Sequence, residues 1–559
     1  MNEQTNEKVE QPASVERLLS PAIRNRILRR MTDLYDESPV RWTEIVSLLL
    51  IVLLCDVTVF RGNGLAGYAA LVIGLPVLLL IGVPSKKPLR ATWLFGLLVI
   101  GVAARLLWYG SGLGVACGLV VLVCFAMSLV GRTPYLLHAA VFASQSFAAG
   151  HHGLNHYGAA LSQIRPSVRI QNVLALILPV VTLVVFGTLF IFANPDLVEA
   201  VSSRLKYVLE VASQWLIDLT PEPFEILFCI VVGWIAVGLL RPILPATLIP
   251  DGEDSDAEPS EGSRALSKGE PSEGEPTPLF EAYRNTLIVV TGLFAVYLTF
   301  EFQTLWFREF PEGFHYSGYA HEGAAWLTVA LGLATVMLSL MFRGRVLSDP
   351  RLRLLRKLSW LWSVENVILA LAVYNRLSIY VNFNGMTRMR TVGLLGMTAV
   401  LVGFLLVVLK ISKGHDFRWL VRRQLWTLAF AVYLYAVLPV DAWVMQHNVA
   451  RVLAGDLSPS VQISVHPTSS EGILQLLPLI HCEDSIIREG VKAILAQRQI
   501  DAEKLAARQA ELGWTAQQIA DNHLLSTQRN SQNDWSEYTD ESLRSTTITR
   551  FHEYVYKWF

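Results

Sequence analysis

Charged residues are scarce in this sequence: Asp, Glu, Lys and Arg make up 17% of its 559 residues. A soluble globular protein has about a quarter of its residues charged. Hydrophobic residues make up 52% of the chain, and its 15 Trp residues carry indole rings that favour membrane–water interfaces. This composition is typical of a polytopic membrane protein.

Other features that the sequence lacks narrow its function. The net charge is −1, so no global basic field attracts nucleic acid. Its five Cys residues are too few and too scattered for a disulfide framework. The sequence has no Walker A loop, no GxSxG elbow, no HExxH and no Rossmann glycine fingerprint. We therefore predict no nucleic-acid partner, no metal and no cofactor, and the absence of a catalytic signature argues against an enzyme.

A cleavable signal peptide is also missing, because the first 40 residues are polar and charged, so we predict an uncleaved first span. A helix of about 20 apolar residues crosses a bilayer because it satisfies its own backbone groups. About eleven segments meet this criterion; they lie near 43–60, 65–83, 91–109, 112–130, 170–192, 224–241, 283–304, 320–342, 358–380, 391–409 and 424–440. The predicted fold is an all-α, polytopic transmembrane helix bundle.

Lys and Arg collect in alternate loops, which indicates orientation because basic loops stay in the cytoplasm. Lys86 and Lys87 lie in one such loop, and "FRGRVLSDPRLRLLRK" (342–357) forms another. The intervening loops carry few basic residues. We therefore predict a cytoplasmic N-terminus and an extracytoplasmic C-terminus, although an error of one span would reverse the side of the C-terminus.

The composition divides the chain into five parts. We predict a cytoplasmic N-terminal segment (1–42), a first transmembrane half (43–246), a disordered acidic linker (247–279), a second transmembrane half (280–440) and a small, mainly helical C-terminal region (441–559). The linker is rich in Glu, Ser, Pro and Gly and cannot bury enough apolar surface to fold. The C-terminal region shows the 3.6-residue periodicity of helices.

The N-terminal segment contains one amphipathic stretch, "VERLLSPAIRNRILRRMTDLY" (15–35). Its apolar residues share one face and its basic residues are interspersed. This pattern suits a helix on the surface of the lipid bilayer, in contact with anionic lipid. A helix packed on its own membrane domain is the alternative.

Charged and polar residues gather at the predicted outer ends of the spans. Ionisable groups within a bilayer normally face a bundle interior, a partner or water. We therefore predict an outward-facing ligand pocket lined by Glu301, Gln303, Tyr316, Tyr319, His321, Glu322, Asn375, Arg376, Tyr380, Thr387, Arg388 and Asp441. The alternative is that these residues form helix-end ion pairs and interface anchors.

The segment "VYNRLSIYVNFNGMTRMR" (373–390) is the most polar stretch between two apolar runs. Arg376 lies eleven residues after Glu365, about 16 Å along a helix, so each needs a partner on another span. Asn384-Gly385 is a turn dipeptide, which predicts a break in the helix there. Thr387 is placed to cap the restarted helix.

Three histidines occur in "GHHGLNHYG" (150–158). His152 and His156 have the i, i+4 spacing that presents two imidazoles to a metal on a helix. Gly150 and Gly153 argue against a helix, and no carboxylate or cysteine is near in sequence. We therefore predict a cytoplasmic loop that is rich in histidine.

Five stretches together resemble a known family. They are "LILPVVTLVVFGTLFIFANPDL" (176–197), "FEFQTLWF" (300–307), "YSGYAHEGAAWL" (316–327), "NRLSIYVNFNGMTRMR" (375–390) and "DAWVMQHNVAR" (441–451). The resemblance is to the related bacterial membrane-protein families of unknown function numbered 4153 and 4173, and it covers about 170–455. It implies a multi-pass protein of the bacterial cytoplasmic (inner) membrane and supplies no substrate or catalytic residue. The chain departs from the family pattern at Glu322 and in its acidic stretch 251–278.

Three functional hypotheses follow from these residues. The first is a transporter-like protein whose outward-facing pocket takes a small or lipid-linked ligand. The second is an envelope sensor or assembly protein, whose C-terminal region binds a protein partner that the sequence does not identify. The third is an intramembrane transferase or hydrolase that uses Glu301, His321 or Glu322.

Overall fold

The computed structural model describes seven stretches of the chain: residues 39–84, 86–163, 223–242, 279–306, 316–342, 349–466 and 468–558. Three predictions concern residues outside these ranges. They are the amphipathic segment 15–35, the span near 170–192 and the acidic stretch 251–278.

The described residues form helices and no strand, which confirms the all-α prediction. The helices of the membrane region are α1 (Trp42–Cys55), α2 (Leu65–Gly82), α3 (Arg90–Tyr109), α4 (Gly112–Leu129), α5 (Leu136–Gln163), α6 (Pro223–Leu240), α7 (Phe280–Glu301), α8 (Tyr316–Met341), α9 (Leu352–Asn384), α10 (Arg388–Lys413) and α11 (Phe417–Val437). Short π-helical turns extend α1 (Asp56–Phe60) and α7 (Phe302–Trp306).

Within the described ranges, eight helices are long and apolar enough to cross a membrane, and a bent pair adds a ninth. The bent pair is α11 with α12 (Val440–Leu453), whose axes differ by 66°. Large apolar side chains such as Leu97, Val296 and Leu333 lie exposed on the outer surface, where lipid rather than water would solvate them. The protein is therefore an integral membrane protein with multiple spans.

The C-terminal residues fold into further helices: α13 (Ser460–Val465), α14 (Ser470–Ile473), α15 (Ser485–Leu512), α16 (Ile519–Asn530) and α17 (Glu541–Val555). Apolar faces of these helices meet in a core that includes Ile487, Leu495 and Phe551, and Trp535 joins it from the segment between α16 and α17. The prediction of a mainly helical C-terminal region from its 3.6-residue periodicity is therefore confirmed. The periodicity arises because each amphipathic helix buries its apolar face against another helix.

Two bundles make up the membrane region. The first is built on α1–α6, and the second on α7–α10 around Leu331, Trp362 and Phe404. Helix α11 follows the second bundle in sequence but packs on α3 and α4 of the first. The ring of Trp426 lies 5.7 Å from that of Phe95, and the Tyr433 hydroxyl donates to a carbonyl of α3. Helix α11 therefore joins the two bundles.

The predicted loop over "GHHGLNHYG" is wrong, because these residues lie within α5. A Cβ on Gly150 would lie 2.4 Å from the Trp234 carbonyl oxygen, and one on Gly153 would lie 2.3 Å from a methyl of Val237. The glycines therefore permit α5 to approach α6 closely. Glycine disfavours an isolated helix by about 1 kcal/mol, and this tertiary contact outweighs that preference.

The C-terminal region covers one end of both bundles. On the first bundle, Arg105 donates two hydrogen bonds to Glu471 (2.6 and 2.7 Å), and the amide of Gly110 donates to Gln518 (2.7 Å). On the second bundle, Asn384 donates to the carbonyl of Trp558 (3.0 Å). The same end of each bundle is therefore closed by residues from beyond α12.

Candidate functional site

A cavity of about 850 Å³ lies between the second bundle and the C-terminal region. Its walls come from α8, α9, α10 and α12 and from the residues around α13. The lining residues are Ala324, Ala325, Thr328, Leu377, Tyr380, Asn384, Met386, Thr387, Arg388, Met389, Arg390, Gly393, Gly396, Met397, Tyr435, Asp441, Val444, Met445, Gln462, His466 and Thr468. Its volume falls within the range of about 300–1,000 Å³ that is usual for ligand pockets.

The turn between α9 and α10 places the polar residues of this cavity. Helix α9 ends at Asn384, and Gly385 follows with a φ of +87°, a conformation that favours glycine. The hydroxyl of Thr387 accepts a hydrogen bond from the Arg390 amide (3.3 Å) and caps α10. The predicted break at Asn384-Gly385 and the predicted Thr387 cap are therefore confirmed.

Asn448 of α12 holds this turn from the other side. Its side-chain oxygen accepts from the Met386 amide (2.6 Å), and its side-chain nitrogen donates to the Met386 carbonyl (2.9 Å). Asn448 is fully buried, so both bonds are shielded from water. The turn is thereby fixed to the C-terminal helices as well as to its own helix.

Arg388 and Asp441 form a two-bond ion pair across the cavity wall. A carboxylate oxygen of Asp441 also accepts from the Ser469 amide (3.0 Å). The pair thus joins the start of α10 to α12 and to the segment before α14. Because Asp441 has these donors, the positive charge of Arg388 is balanced within the site.

Arg390 is held differently. Its guanidinium stacks 3.6 Å from the ring centre of Tyr380, and one terminal nitrogen donates to the Gly385 carbonyl. The side chain is 5% exposed, and its Nε has no acceptor among the described residues. No carboxylate in the described part of the chain pairs with it. Arg390 is therefore a buried cation whose hydrogen-bonding capacity is only partly used.

The charges that the cavity lining presents do not cancel. Arg388 and Arg390 contribute two positive charges and Asp441 one negative charge, which leaves one net positive charge. Partial burial lowers the pKa of His466 below its ordinary value, and the nearby guanidiniums of Arg390 and Arg388 lower it further. At neutral pH this imidazole is therefore uncharged, and the site attracts anions through its arginines.

An apolar groove of about 540 Å³ lies beside the cavity. The cavity and the groove share Leu377, Met386 and Val444 in their walls. The remaining groove residues are Tyr374, Ser378, Val381, Thr391, Leu394, Val440, Trp443 and His447. A positively charged cavity and an apolar groove therefore lie side by side.

A buried ion pair lies close to the cavity. Arg376 of α9 donates from Nε to Glu301 Oε1 (2.7 Å) and from Nη2 to Oε2 (2.5 Å). The hydroxyl of Tyr297 donates to the same carboxylate (2.9 Å). A Cβ on Gly323 would lie 2.0 Å from Arg376 Nη1, so α8 presses directly on the guanidinium. The expectation that Arg376 needs a partner on another span is confirmed.

The structure brings four of the predicted pocket residues together in the cavity wall: Tyr380, Thr387, Arg388 and Asp441. Glu301 and Arg376 instead bind each other outside that wall. Gln303 is exposed in the turn after α7, and Asn375 is half-buried and does not line the cavity.

The other predicted pocket residues begin α8: Tyr316, Tyr319, His321 and Glu322. Their backbone is helical, and their side chains lie outside the described part of the structure. Their membership of the pocket stays a prediction.

Some cavity residues were not predicted. Arg390 and Asn384 lie in the polar segment 373–390 that stands out in the sequence. The two-residue spacing of Arg388 and Arg390 could have indicated that both arginines belong to the site. Gln462, His466 and Thr468 carry no comparable signal, because they belong to a water-soluble stretch whose docking position cannot be read from periodicity. The described residues hold no group of three or more His, Cys, Asp or Glu arranged to bind a metal ion.

Comparison with known proteins identifies the family. The family model of a domain of unknown function, DUF4153, matches residues 48–466. The chain therefore belongs to this family, which confirms that part of the resemblance. No curated protein and no solved structure matches the chain.

Proposed function

We propose that this membrane protein binds an anionic amphiphile, with the charged group in the cavity and the apolar part in the groove, and handles it in a transporter-like manner. The observation that carries the proposal is the buried guanidinium of Arg390, which faces a cavity with one net positive charge. Arginine presents its donors in a planar fork that matches phosphate and carboxylate oxygens.

The two arginines have different roles in this proposal. Arg388 is paired with Asp441, so its positive charge is balanced within the site and its side chain shapes the wall. Arg390 keeps an unused donor at Nε and has no carboxylate partner among the described residues. An incoming phosphate or carboxylate accepts from that donor and offsets the buried charge.

The apolar groove selects an amphiphile over a small polar solute. It shares the wall residues Leu377, Met386 and Val444 with the cavity, and Trp443 supplies a large apolar wall. Burial of an alkyl chain contributes about 0.8 kcal/mol per methylene. A ligand with an anionic head and an apolar tail therefore gains from both compartments.

The proposed location is the extracytoplasmic side of the bacterial cytoplasmic membrane. The cavity lies at the end of the bundles that the C-terminal region covers. The basic loops lie at the opposite end, where the Lys87 amide bonds to the Leu129 carbonyl and Lys410 bonds to carbonyls at the end of α8. Basic loops on the cytoplasmic side support an outward-facing pocket.

Thermal unfolding of the full-length protein in a neutral detergent tests this binding. The probe is dodecyl phosphate, compared with dodecylphosphocholine, which has the same chain without net charge, and with inorganic phosphate. We expect dodecyl phosphate to raise the unfolding temperature most, because it alone supplies both the anionic head and the chain. Arg390→Gln is expected to weaken its binding about tenfold to a hundredfold, the equivalent of one charge-assisted hydrogen bond.

Arg90→Gln is the matched control, because Arg90 is an exposed arginine at the basic end of α3. Its variant should bind dodecyl phosphate like the original protein. Equal stabilisation by dodecyl phosphate and dodecylphosphocholine would contradict an anion site. Stabilisation by inorganic phosphate alone would contradict the role of the groove. Transport is tested separately, by flux of labelled dodecyl phosphate across vesicles that contain the protein.

A sensor or assembly role is the second candidate, since the C-terminal region contacts both bundles. A partner bound to that region would act on the membrane helices through Glu471 and Asp441. This role predicts that dodecyl phosphate stabilises the protein only when the partner is present, whereas a transporter-like protein binds dodecyl phosphate without a partner. The enzyme hypothesis loses support at Glu301, because both of its carboxylate oxygens are bound by Arg376.

A further inference from the structure

A second polar site lies inside the membrane region, away from the anion cavity. Glu365 is near the middle of α9, about 20 Å along the axis from Leu352 and about 29 Å from Asn384 at 1.5 Å per residue. Its Oε2 is buried and has no hydrogen-bond partner among the described residues. An ionised carboxylate at this depth needs a partner or a proton, because isolated charge is costly in a bilayer.

Three further polar atoms without partners lie on the same turns of α9 or on the helix that faces them. Asn366 is 0% exposed and uses its nitrogen to donate to the Trp362 carbonyl, and its Oδ1 has no donor within the described ranges. The indole N–H of Trp362 and the hydroxyl of Thr291 likewise have no partner there. The Trp362 ring meets Phe294, one helical turn from Thr291, with ring centres 5.6 Å apart.

Buried polar atoms in native proteins are nearly always hydrogen-bonded, so four such atoms on facing turns indicate an occupant. The indole N–H is a donor only, and it cannot bind a cation. A carboxylic acid together with water satisfies the whole set. The acid proton goes to the Asn366 oxygen or to water, while the indole and the hydroxyl donate to carboxyl or water oxygens.

The helices packed against α9 place their titratable groups toward their ends. On α7 these are Glu281, Tyr283 and Arg284 at the start, and Tyr297 and Glu301 at the end. On α10 they are Arg388 and Arg390 at the start and Lys410 and Lys413 at the end. Helix α9 itself carries Arg353, Arg356 and Lys357 in its first two turns, and Tyr374, Arg376 and Tyr380 from about two and a half turns beyond Glu365 onward, with Arg376 bound to Glu301. Residues 324–341 of α8 and 391–409 of α10 contain no charged residue. No charged side chain in the described middle portions of these helices therefore neutralises Glu365.

We propose that Glu365 is a proton-binding site of the membrane domain, with Asn366, Trp362 and Thr291 as the groups that orient its carboxyl. The carboxylate takes up one proton from water to become a neutral acid and returns that proton to water on release. No bond to carbon changes and no electron is transferred. The site is separate from the anion cavity and does not depend on the proposed ligand.

Infrared spectroscopy of the full-length protein in phosphatidylcholine vesicles tests this site. Glutamate in water has a pKa of about 4.3 and is ionised at pH 7. We expect a carbonyl band from a protonated carboxylic acid that persists at pH 7 and disappears at higher pH. Glu365→Gln should remove the band, whereas Glu281→Gln, at an exposed glutamate of α7, should leave it unchanged. Asn366→Leu should shift the band frequency, because the carboxyl loses an acceptor.

Several outcomes would overturn the proposal. They are the absence of an acid band at pH 7 in the original protein, survival of the band in Glu365→Gln, and loss of the band on adding sodium ions, which would indicate a cation site. If Glu365→Gln does not fold, the Glu365→Asp variant replaces it in the test. A shift in the frequency of the acid band in that variant would still assign the band to residue 365. Stabilisation by dodecyl phosphate should be unchanged in folded Glu365→Gln, so a failure here is distinct from a failure of the anion site.

Discussion

Glu301 and Arg376 form a two-bond ion pair between α7 and α9, and they are 1% and 4% exposed. The sequence showed two isolated charges in separate apolar spans. Their pairing explains why each is tolerated, because the desolvation of one charge is offset by the other. The pair fixes α7 to α9 next to the cavity without contributing to its wall.

Removal of one partner of this pair should destabilise the protein. We expect Arg376→Ala or Glu301→Gln to lower the free energy of unfolding by about 3–5 kcal/mol, since each leaves an uncompensated buried group. The double variant Glu301→Leu with Arg376→Met should recover part of this loss. Thermal unfolding in detergent measures all three. A stable Arg376→Ala that fails to bind dodecyl phosphate would instead make Arg376 a ligand-binding residue.

The sequence allowed the spans, the break at Asn384-Gly385 and the Thr387 cap to be predicted, because each depends on local composition. It also showed that Arg376 needs a partner, but periodicity gives only the face of a helix and not the neighbour across it. Glu301 is 75 residues earlier in the chain. The α5 helix was not predicted, because its glycines argue against a helix in the local sequence. They are accommodated by close contact with α6, and that tertiary contact cannot be inferred from neighbouring residues in the sequence.

The Gly385 turn should be intolerant of a side chain. A Cβ there would lie 2.6 Å from Asn448 Oδ1, and the residue has a φ of +87°. Gly414 has a similar φ of +70° but no atom near its Cβ position within the described residues. Gly414→Ala should therefore lower the free energy of unfolding by about 1–2 kcal/mol, because only the left-handed conformation opposes the new side chain. Gly385→Ala should cost more and weaken dodecyl phosphate binding; equal losses in unfolding temperature would contradict the clash.

Asp484 should make the C-terminal region sensitive to acid. It caps α15 through the amides of Ile486 and Ile487, and it accepts from Tyr554 (2.7 Å). Burial alone raises its pKa, but these hydrogen bonds outweigh burial and hold the pKa below its ordinary value of 3.8. Below that value the unfolded chain binds more protons than the folded protein, so this contribution to stability is lost as pH falls.

The Asp484→Asn variant isolates the charge, because asparagine caps a helix about as well as aspartate. At pH 6 the variant should have a lower free energy of unfolding than the original protein. This difference should shrink as the pH falls below about 4. Trp fluorescence at both pH values follows the unfolding, since Trp535 lies in the C-terminal core. A loss that grows in acid would contradict the assigned sign.

The contact between Arg105 and Glu471 should hold the C-terminal region on the first bundle. Glu471 is buried, so Arg105→Ala leaves its carboxylate without its main partner, at a cost of up to about 3–5 kcal/mol. We expect amide hydrogen exchange in residues 468–481 to accelerate by at least tenfold, while the amides of α15 stay protected. Arg488→Ala breaks a half-exposed pair with Glu489 in the same region and should change exchange little. Equal acceleration in α15 would show that Arg105 supports the folding of the C-terminal region rather than its docking on the membrane helices.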